Sequence, residues 1–498
     1  MYESTRGSFK NISSAEAVKM GIAPDGGLFV PDAIPEIADE VMSRIVDMDY
    51  LERAVSILKP YLLDYSEEEI IECVNNAYSL TRFDTSEIAP VRKLDDSAYI
   101  LELWHGPTCA FKDMALQLLP HLLVKAAVKT GETKEIVILV ATSGDTGKAA
   151  LEGFRDVKGT KIIVFYPYKG VSEIQEMQMV TQEGSNVFPI AVEGNFDDAQ
   201  SGVKSIFTDS MLINAIDEKG YRFSSANSIN WGRLVPQIVY YFSAYGDMVK
   251  NNWIKPGEMV NIAVPTGNFG NILAAFYSMK MGLPVKKLIC ASNENNVLTD
   301  FINTGVYNRN REFKKTMSPS MDILISSNLE RLLYEITEHD SFRIINWMKD
   351  LSDCGIYEVD NETKSRIGNL FWAGYSSEEE TLNTIKAVYD KYGYLVDTHT
   401  AVALNVYKKY TANKADNVKT IIASTASPFK FNESVSRAIL GSNKIKGKSE
   451  FELLGILSKE SGMPVPGGLR GLDKKEIKHN RVCMKNEMKL QVEKILGI

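Results

Sequence analysis

Cysteine and histidine are scarce in this chain, five of each among 498 residues. The cysteines, at 73, 109, 290, 354 and 483, form no CxxC pair and no even framework. That excludes a disulfide scaffold and suits a reducing compartment. The histidines are as dispersed, so no zinc-type spacing exists and no metal is expected. Long apolar runs are missing: stretches such as Ile136 to Ala141 are far too short to span a bilayer, so no membrane association is expected. The first residues, MYESTRGSFKNISS, lack the apolar segment of a secretory signal, and a cytoplasmic location is expected. Positive charge is not in excess either. A formal net charge of −8 argues against nucleic acid as an obligatory partner, though not against small anions held locally. There is no internal repeat, no low-complexity segment and no GxGxxG fingerprint.

What is present is the composition of a soluble globular chain, 44% hydrophobic and 24% charged, long enough for two or three domains with buried cores. Residues 1–95 read as a first, structural unit. A Pro24-Asp25-Gly26-Gly27 turn leads to a short strand at 28–30, and helical patterns follow near 41–62 and 66–82. Ser66, three residues before Glu69, reads as a capping box. From 96 to about 295, apolar strands (135–142, 161–166, 187–192, 259–264, 285–291) alternate with helical patterns (146–154, 172–183, 196–208, 234–250, 271–281). Such alternation implies an α/β fold with mainly parallel sheets and helices on both faces. Residues 296–395 read as mostly helical and more polar, and Thr420 to Ser424 as a last strand. The expected division is 1–95, 96–235 and 236–498, the third part carrying the helical insertion. The tail 444–498 holds 12 Lys/Arg against 7 Asp/Glu, and reads as a solvated surface extension.

Four loops carry chemistry, and a fifth, polar segment leads to an arginine. The chain is organised around Tyr99–Ala127, an apolar strand broken at His105-Gly106-Pro107 that restarts as a helix near Asp113, with a kink expected at Pro120. Lys112 sits at this junction beside Phe111. Desolvation and a helix N-terminus would both lower its pKa and make the amine able to attack an aldehyde; alternatively it covers a helix end. Residues 141–148, ATSGDTGK, join a strand to a helix and leave amides free for an anion, or serve as a plain cap. They are not a P-loop, because Thr142 and Ala149 stand where that pattern needs glycine and Ser/Thr. The loop Pro265–Asn271, PTGNFGN, can turn consecutive amides toward a terminal phosphate, or be a tight turn. In STASPFKF (424–431), Thr425 ends a strand where a hydroxyl can face a ring nitrogen. Finally, SSANSINWGRL (224–234) leads into Arg233, a bidentate fork for phosphate or a surface arginine.

The string HGPTCAFKD resembles the Schiff-base segment of threonine synthase, roughly HGPTxAFKD, with eight defined positions in nine residues. The other three loops and SFKN…GIAPDGGLFVP near the N-terminus are similar to the same family in the same order. The resemblance implies pyridoxal-phosphate fold type II, tryptophan synthase β-like, with an N-terminal domain. It implies pyridoxal 5'-phosphate on Lys112, which would also move protons at the substrate's Cα and Cβ. Gly267, Asn268, Phe269, Gly270 and Asn271 would cradle the cofactor phosphate, and Thr425 would face its ring nitrogen. Thr142, Ser143, Asp145 and Thr146 would hold the substrate carboxylate. Arg233, Asn227, Asn230 and Lys430 would take the leaving phosphate. The sequence departs from the family pattern at Asp145, where many relatives carry Asn, and at Ser427, where His is common. The implied reaction converts O-phospho-L-homoserine and water to L-threonine and phosphate, in a monomer or small homo-oligomer. The alternatives are a threonine-synthase-like phospho-lyase releasing phosphate and ammonia, and a catalytically silent binding homologue.

Overall fold

The computed structural model describes residues 1–498. Near the N-terminus, β1 (Tyr2–Ser4) pairs antiparallel with β2 (Phe29–Pro31). β3 (Val91–Lys93) and β4 (Ala98–Glu102) follow as an antiparallel pair. Next come β5 (Glu135–Ala141), β6 (Thr160–Pro167), β7 (Val187–Glu193) and β8 (Tyr221–Ser224). β9 (Val260–Pro265) and β10 (Val285–Ser292) lead to a small antiparallel pair, β11 (Val306–Asn308) with β12 (Ile356–Glu358). The last strands are β13 (Phe371–Tyr375), β14 (Thr420–Ser424) and β15 (Val482–Met484).

Two sheets dominate. A six-stranded sheet runs β13-β10-β9-β14-β4-β3, parallel except for β3. A five-stranded, wholly parallel sheet runs β15-β7-β6-β5-β8. Strand β5, EIVILVA, is buried at every position after Glu135, the pattern of a strand covered on both faces by crossover helices. The expected α/β architecture is therefore present, with most of the expected strands. No helix is long and apolar enough to cross a membrane.

The N-terminal unit is stitched into the same core. The capping box at Ser66 and Glu69 forms as the sequence indicates, and Asp49 with Glu52 forms another. Buried Arg53 donates to the Ile45 carbonyl (2.8 Å) and pairs with Asp247 (2.6 Å) on the long helix Trp231–Lys250.

Three expectations need correction. Pro120 does not kink a helix. One short helix ends at Leu116 and another begins at Leu119, with Pro120 in its first turn, where a missing N–H costs nothing. The span 296–395 is mostly helical, as expected, and aromatic-rich β13 also lies within it, forming the edge of the large sheet. The tail is no solvated extension. β15 adds an edge strand beside β7, and Leu453, Leu457, Leu469, Leu472, Met488 and Val492 are buried. Two of its lysines pair with the segment 198–209, Lys485 with Asp198 and Lys489 with Asp209. Nor do boundaries at 96 and 236 follow the sheets: β4, just before Lys112, belongs to the large sheet, and β15 to the small one.

Candidate active site

The string around Lys112 is a braced corner. Leaving β4, the Leu103 amide donates to the Ser424 carbonyl (2.9 Å) and the Phe111 amide to the Thr425 carbonyl (2.8 Å). The segment is thus clamped to the end of β14. Asp113 accepts from the Thr108 amide (2.8 Å) and hydroxyl (2.9 Å). Gly106 is required there, since a Cβ on it would lie 2.5 Å from the Asp113 Cβ. Burial pushes the Asp113 carboxyl up to about 6 against these bonds. His105 bridges Asp84 (2.6 Å) and Glu102 (2.9 Å). Burial favours its neutral ring, but the two carboxylates outweigh it and raise it to about 9.

Lys112 itself is 9% exposed. Its Nζ donates to the Ser320 hydroxyl (3.1 Å), lies 3.7 Å from Asp145 and stands 4.9 Å from the Phe111 ring centre. Burial lowers its pKa to about 8; Asp145 opposes this, while Lys430 and Arg233 add to it. The expected depression is there. Its cause is burial and two cations, for the helix that follows is a single turn, Asp113–Leu116. Such an amine is partly neutral near pH 7 and able to attack an aldehyde.

A cleft of about 550 Å³ opens at the carboxyl ends of the parallel strands, the usual position for a ligand in such sheets. It is lined by Lys112, Thr142, Ser143, Asp145, Thr146, Asn227, Arg233, all of 267–271 and Thr425. In the first loop the Thr142 hydroxyl accepts from the amides of Gly144 (3.0 Å) and Gly147 (2.9 Å). The amides of Ser143, Asp145 and Thr146 have no acceptor within the chain. Asp145 is buried yet holds its proton only well below the usual carboxylate range. Burial opposes that, but Lys430 (3.0 Å) and Lys112 overcome it, with Gln175 donating at 2.8 Å.

In the second loop, the amides of residues 267–271 all lack an acceptor. Phe269 adopts the left-handed conformation (φ 63°), which turns the chain so that these amides converge. Buried Asn271 accepts from Tyr240 (2.7 Å) and Tyr241, while its Nδ2 is orphaned. A Cβ on Gly267 would sit 2.6 Å from the Ser320 carbonyl oxygen, whereas one on Gly270 would meet nothing closer than 3.6 Å. An amide nest and a poised amine in one cleft fit a small molecule carrying both a phosphate and an aldehyde.

Two expected phosphate ligands lie outside the cleft. Asn230 is the N-cap of Trp231–Lys250; its amide donates to the carbonyls of Val18 (3.0 Å) and Ser225 (2.9 Å), and its oxygen accepts from Gly232 (2.9 Å). Lys430 is fully buried, paired with Asp145 and donating to the Thr108 carbonyl (2.8 Å). Both amide hydrogens of Asn230 are thus used within the fold, and Lys430 serves as the internal counter-ion of Asp145. Arg233 differs: it is buried, its guanidinium donates to the Ala226 carbonyl, Nε is orphaned, and no carboxylate pairs with it. Burial lowers its pKa to about 10. The sequence reading missed Ser320, Gln175 and His399. Ser320 and His399 line the cleft, and no local pattern marks the strap 316–322 as reaching Lys112.

Comparison with known proteins gives three family models in chain order: "Threonine synthase N terminus" over residues 1–78, "Pyridoxal-phosphate dependent enzyme" over 86–359, and "Threonine synthase, C-terminal" over 400–489. The chain is 39% identical over 497 residues to "Threonine synthase-like 1" of Pongo abelii, covering 97% of this chain and 66% of that protein. It thus spans slightly less than two thirds of that relative's length. To threonine synthase of Pseudomonas aeruginosa it is 37% identical over 441 residues, with 88% and 90% of the two chains covered. The crystal structure of pyridoxal-phosphate-bound threonine synthase from Brucella melitensis superposes with a TM-score of 0.87 at 34% identity, covering 99% of this chain and 98% of that one. One fold is followed from end to end, and with it the chain belongs to the threonine synthase family of pyridoxal-phosphate-dependent lyases.

Proposed function

We propose that this chain converts O-phospho-L-homoserine and water to L-threonine and phosphate. One observation carries the reading: two separate groups on the cleft wall are suited to anions. The amide nest at 267–271 suits the cofactor phosphate, and Arg233, a buried cation without a counter-ion, suits a second phosphate on the substrate. Bound pyridoxal phosphate withdraws electrons from the bonds at the substrate's Cα. The chain's residues do the rest. Lys112 would hold the cofactor, and its amine is placed to move protons at Cα and Cβ. The free amides at 143, 145 and 146 hold the substrate carboxylate, at a helix N-terminus that favours negative charge. The Thr425 hydroxyl on the cleft wall is a neutral partner for the ring nitrogen. Arg233, with Asn227, steadies the phosphate leaving Cγ while water adds at Cβ. Lys430 and Asn230 drop out of that set.

Incubation with phosphohomoserine should release phosphate and threonine in equal amounts. Phosphate accompanied by ammonia and a keto acid, without threonine, would instead establish the phospho-lyase. That second reading is kept because the relative with 39% identity bears the name threonine synthase-like 1.

Arg233→Ala is expected to retain the bound chromophore but lose about 2–4 kcal/mol of transition-state stabilisation in kcat/KM, the scale of removing one partner of a buried charge pair. Inhibition by inorganic phosphate should weaken with it. Wild-type values for both would show that another group takes the leaving phosphate.

Gly267→Ala should weaken cofactor affinity at least about tenfold, on the order of 1.4 kcal/mol. The new methyl group must displace either the Ser320 carbonyl or the nest. Gly270→Ala has room and serves as the control in a cofactor titration. Equal affinities for the two variants would reduce the loop to a turn.

A further inference from the structure

The strap at residues 316–322 is pinned from several directions, and one hydroxyl on it points at Lys112. Asp322 gathers Thr316 (2.7 Å), Asn293 (2.7 Å) and Asn295 (2.9 Å). The Thr398 hydroxyl donates to the Met317 carbonyl (2.7 Å). The Ser320 amide donates to His399 Nε2 (3.2 Å), so the ring proton lies on Nδ1, toward Asp397 Oδ2 (2.7 Å). Asp397 in turn caps the helix Thr398–Lys414. On the other side, only a hydrogen at Gly267 lets the Ser320 carbonyl approach the nest. This much restraint around a single 3-10 turn, Pro319–Met321, fixes where the Ser320 side chain stands.

Its hydroxyl bridges two charged groups. Oγ accepts from Lys112 Nζ (3.1 Å) and donates to Asp145 Oδ2 (3.2 Å), across a direct amine–carboxylate separation of 3.7 Å. We propose that Ser320 is a positioning residue for Lys112: it bridges the amine and Asp145, keeps their 3.7 Å pair from tightening to direct hydrogen-bond contact, and so leaves the amine free to take up the cofactor. The hydroxyl donates to one partner and accepts from the other, which no apolar side chain of that size can do. Without it the amine and Asp145 contract toward a charge-assisted hydrogen bond, which holds the ammonium form. The other charged groups facing this centre are Lys430 beyond Asp145 and Arg233 from the helix Trp231–Lys250. Asp322 and His399 lie on the strap side, and Arg309 also lines the cleft.

The inference rests on Lys112 being the lysine that carries the cofactor. The test uses the full-length chain stripped of cofactor. Competitive acetylation of Lys112 across pH, read by peptide mass analysis, gives its titration midpoint, and stopped-flow absorbance gives the rate of pyridoxal-phosphate capture. In Ser320→Ala the midpoint should rise by about one unit, which is about tenfold in neutral amine, and capture at pH 7 should slow by a similar factor. Ser320→Thr, which keeps the hydroxyl, should stay within about twofold of wild type. An unchanged or lowered midpoint in the alanine chain overturns the proposal. So does a threonine chain as impaired as the alanine one, because packing would then be the cause. Borohydride trapping of the wild-type holoenzyme separates the two readings: a pyridoxyl mark away from Lys112 sinks the site assignment itself, whereas a mark on Lys112 with an unshifted alanine variant sinks only the role of Ser320.

Discussion

A Lys112→Ala chain is expected to lose its covalent hold on the cofactor and on the order of 10²–10⁴ in turnover, the usual worth of a positioned acid–base group. Pyridoxal phosphate should still enter, since the nest at 267–271 is untouched, but borohydride should leave no pyridoxyl peptide. In the wild-type chain that peptide should contain Lys112. A mark on another lysine, or turnover within tenfold of wild type, would remove the foundation of the proposed function. The charge state of the amine predicts a pH signature as well. The folded-state value near 8 lies below the roughly 10.4 of a free lysine. Between those values the unfolded chain binds more protons than the folded one, so stability of the cofactor-free protein should rise with pH across that window. The alanine variant should lack this rise in urea titrations at pH 8 and pH 10.

The second large effect concerns Lys430. With Lys430→Met, the buried Asp145 carboxylate keeps only Lys112 and neutral donors, and the fold should lose about 3–5 kcal/mol, the cost of breaking a buried pair by removing one partner. Asp145→Asn in the same chain removes the stranded charge, and the double variant should regain more than half of the loss. Asp145, held well below the ordinary carboxylate value, stabilises the folded wild type above pH of about 4 and ceases to do so as acid protonates it. The Lys430→Met chain should therefore be less acid-sensitive than wild type, having less of this contribution to lose. A single variant within 1 kcal/mol of wild type would mean that water reaches Asp145 and that the pair is not isolated.

Strand-by-strand periodicity made the α/β class legible, because parallel strands buried on both faces read as short apolar runs between helices. The loops at strand ends were legible for a related reason: glycines, hydroxyls and a lone lysine at such junctions have few structural uses. Direction of side chains was not legible. Asn230 and Arg233 lie three residues apart in one polar string, yet Asn230 points back to cap a helix while Arg233 points into the cleft. Lys430 gave the same signal as a phosphate ligand and is an internal counter-ion. Ser320 was invisible because it meets Lys112 across 208 residues of sequence. The tail misled because its many lysines hid apolar positions spaced four apart, such as Leu453 and Leu457 or Met488 and Val492.

The order in which the strands are laid down has a cost during synthesis. Of the large sheet, a nascent chain makes β3 and β4 first, leaves them to build β5 to β8, and supplies β14, the partner of β4, only at residue 420. At about 5–20 residues per second, β4 waits roughly 15–65 s for that neighbour. The edge of β7 stays open for a similar stretch of synthesis, until residues 482–484 emerge. An open parallel edge is a template for pairing with other chains. A ribosome that stalls after β14 but before codon 482 would thus release a product with the cleft residues made and a sticky border where β15 belongs.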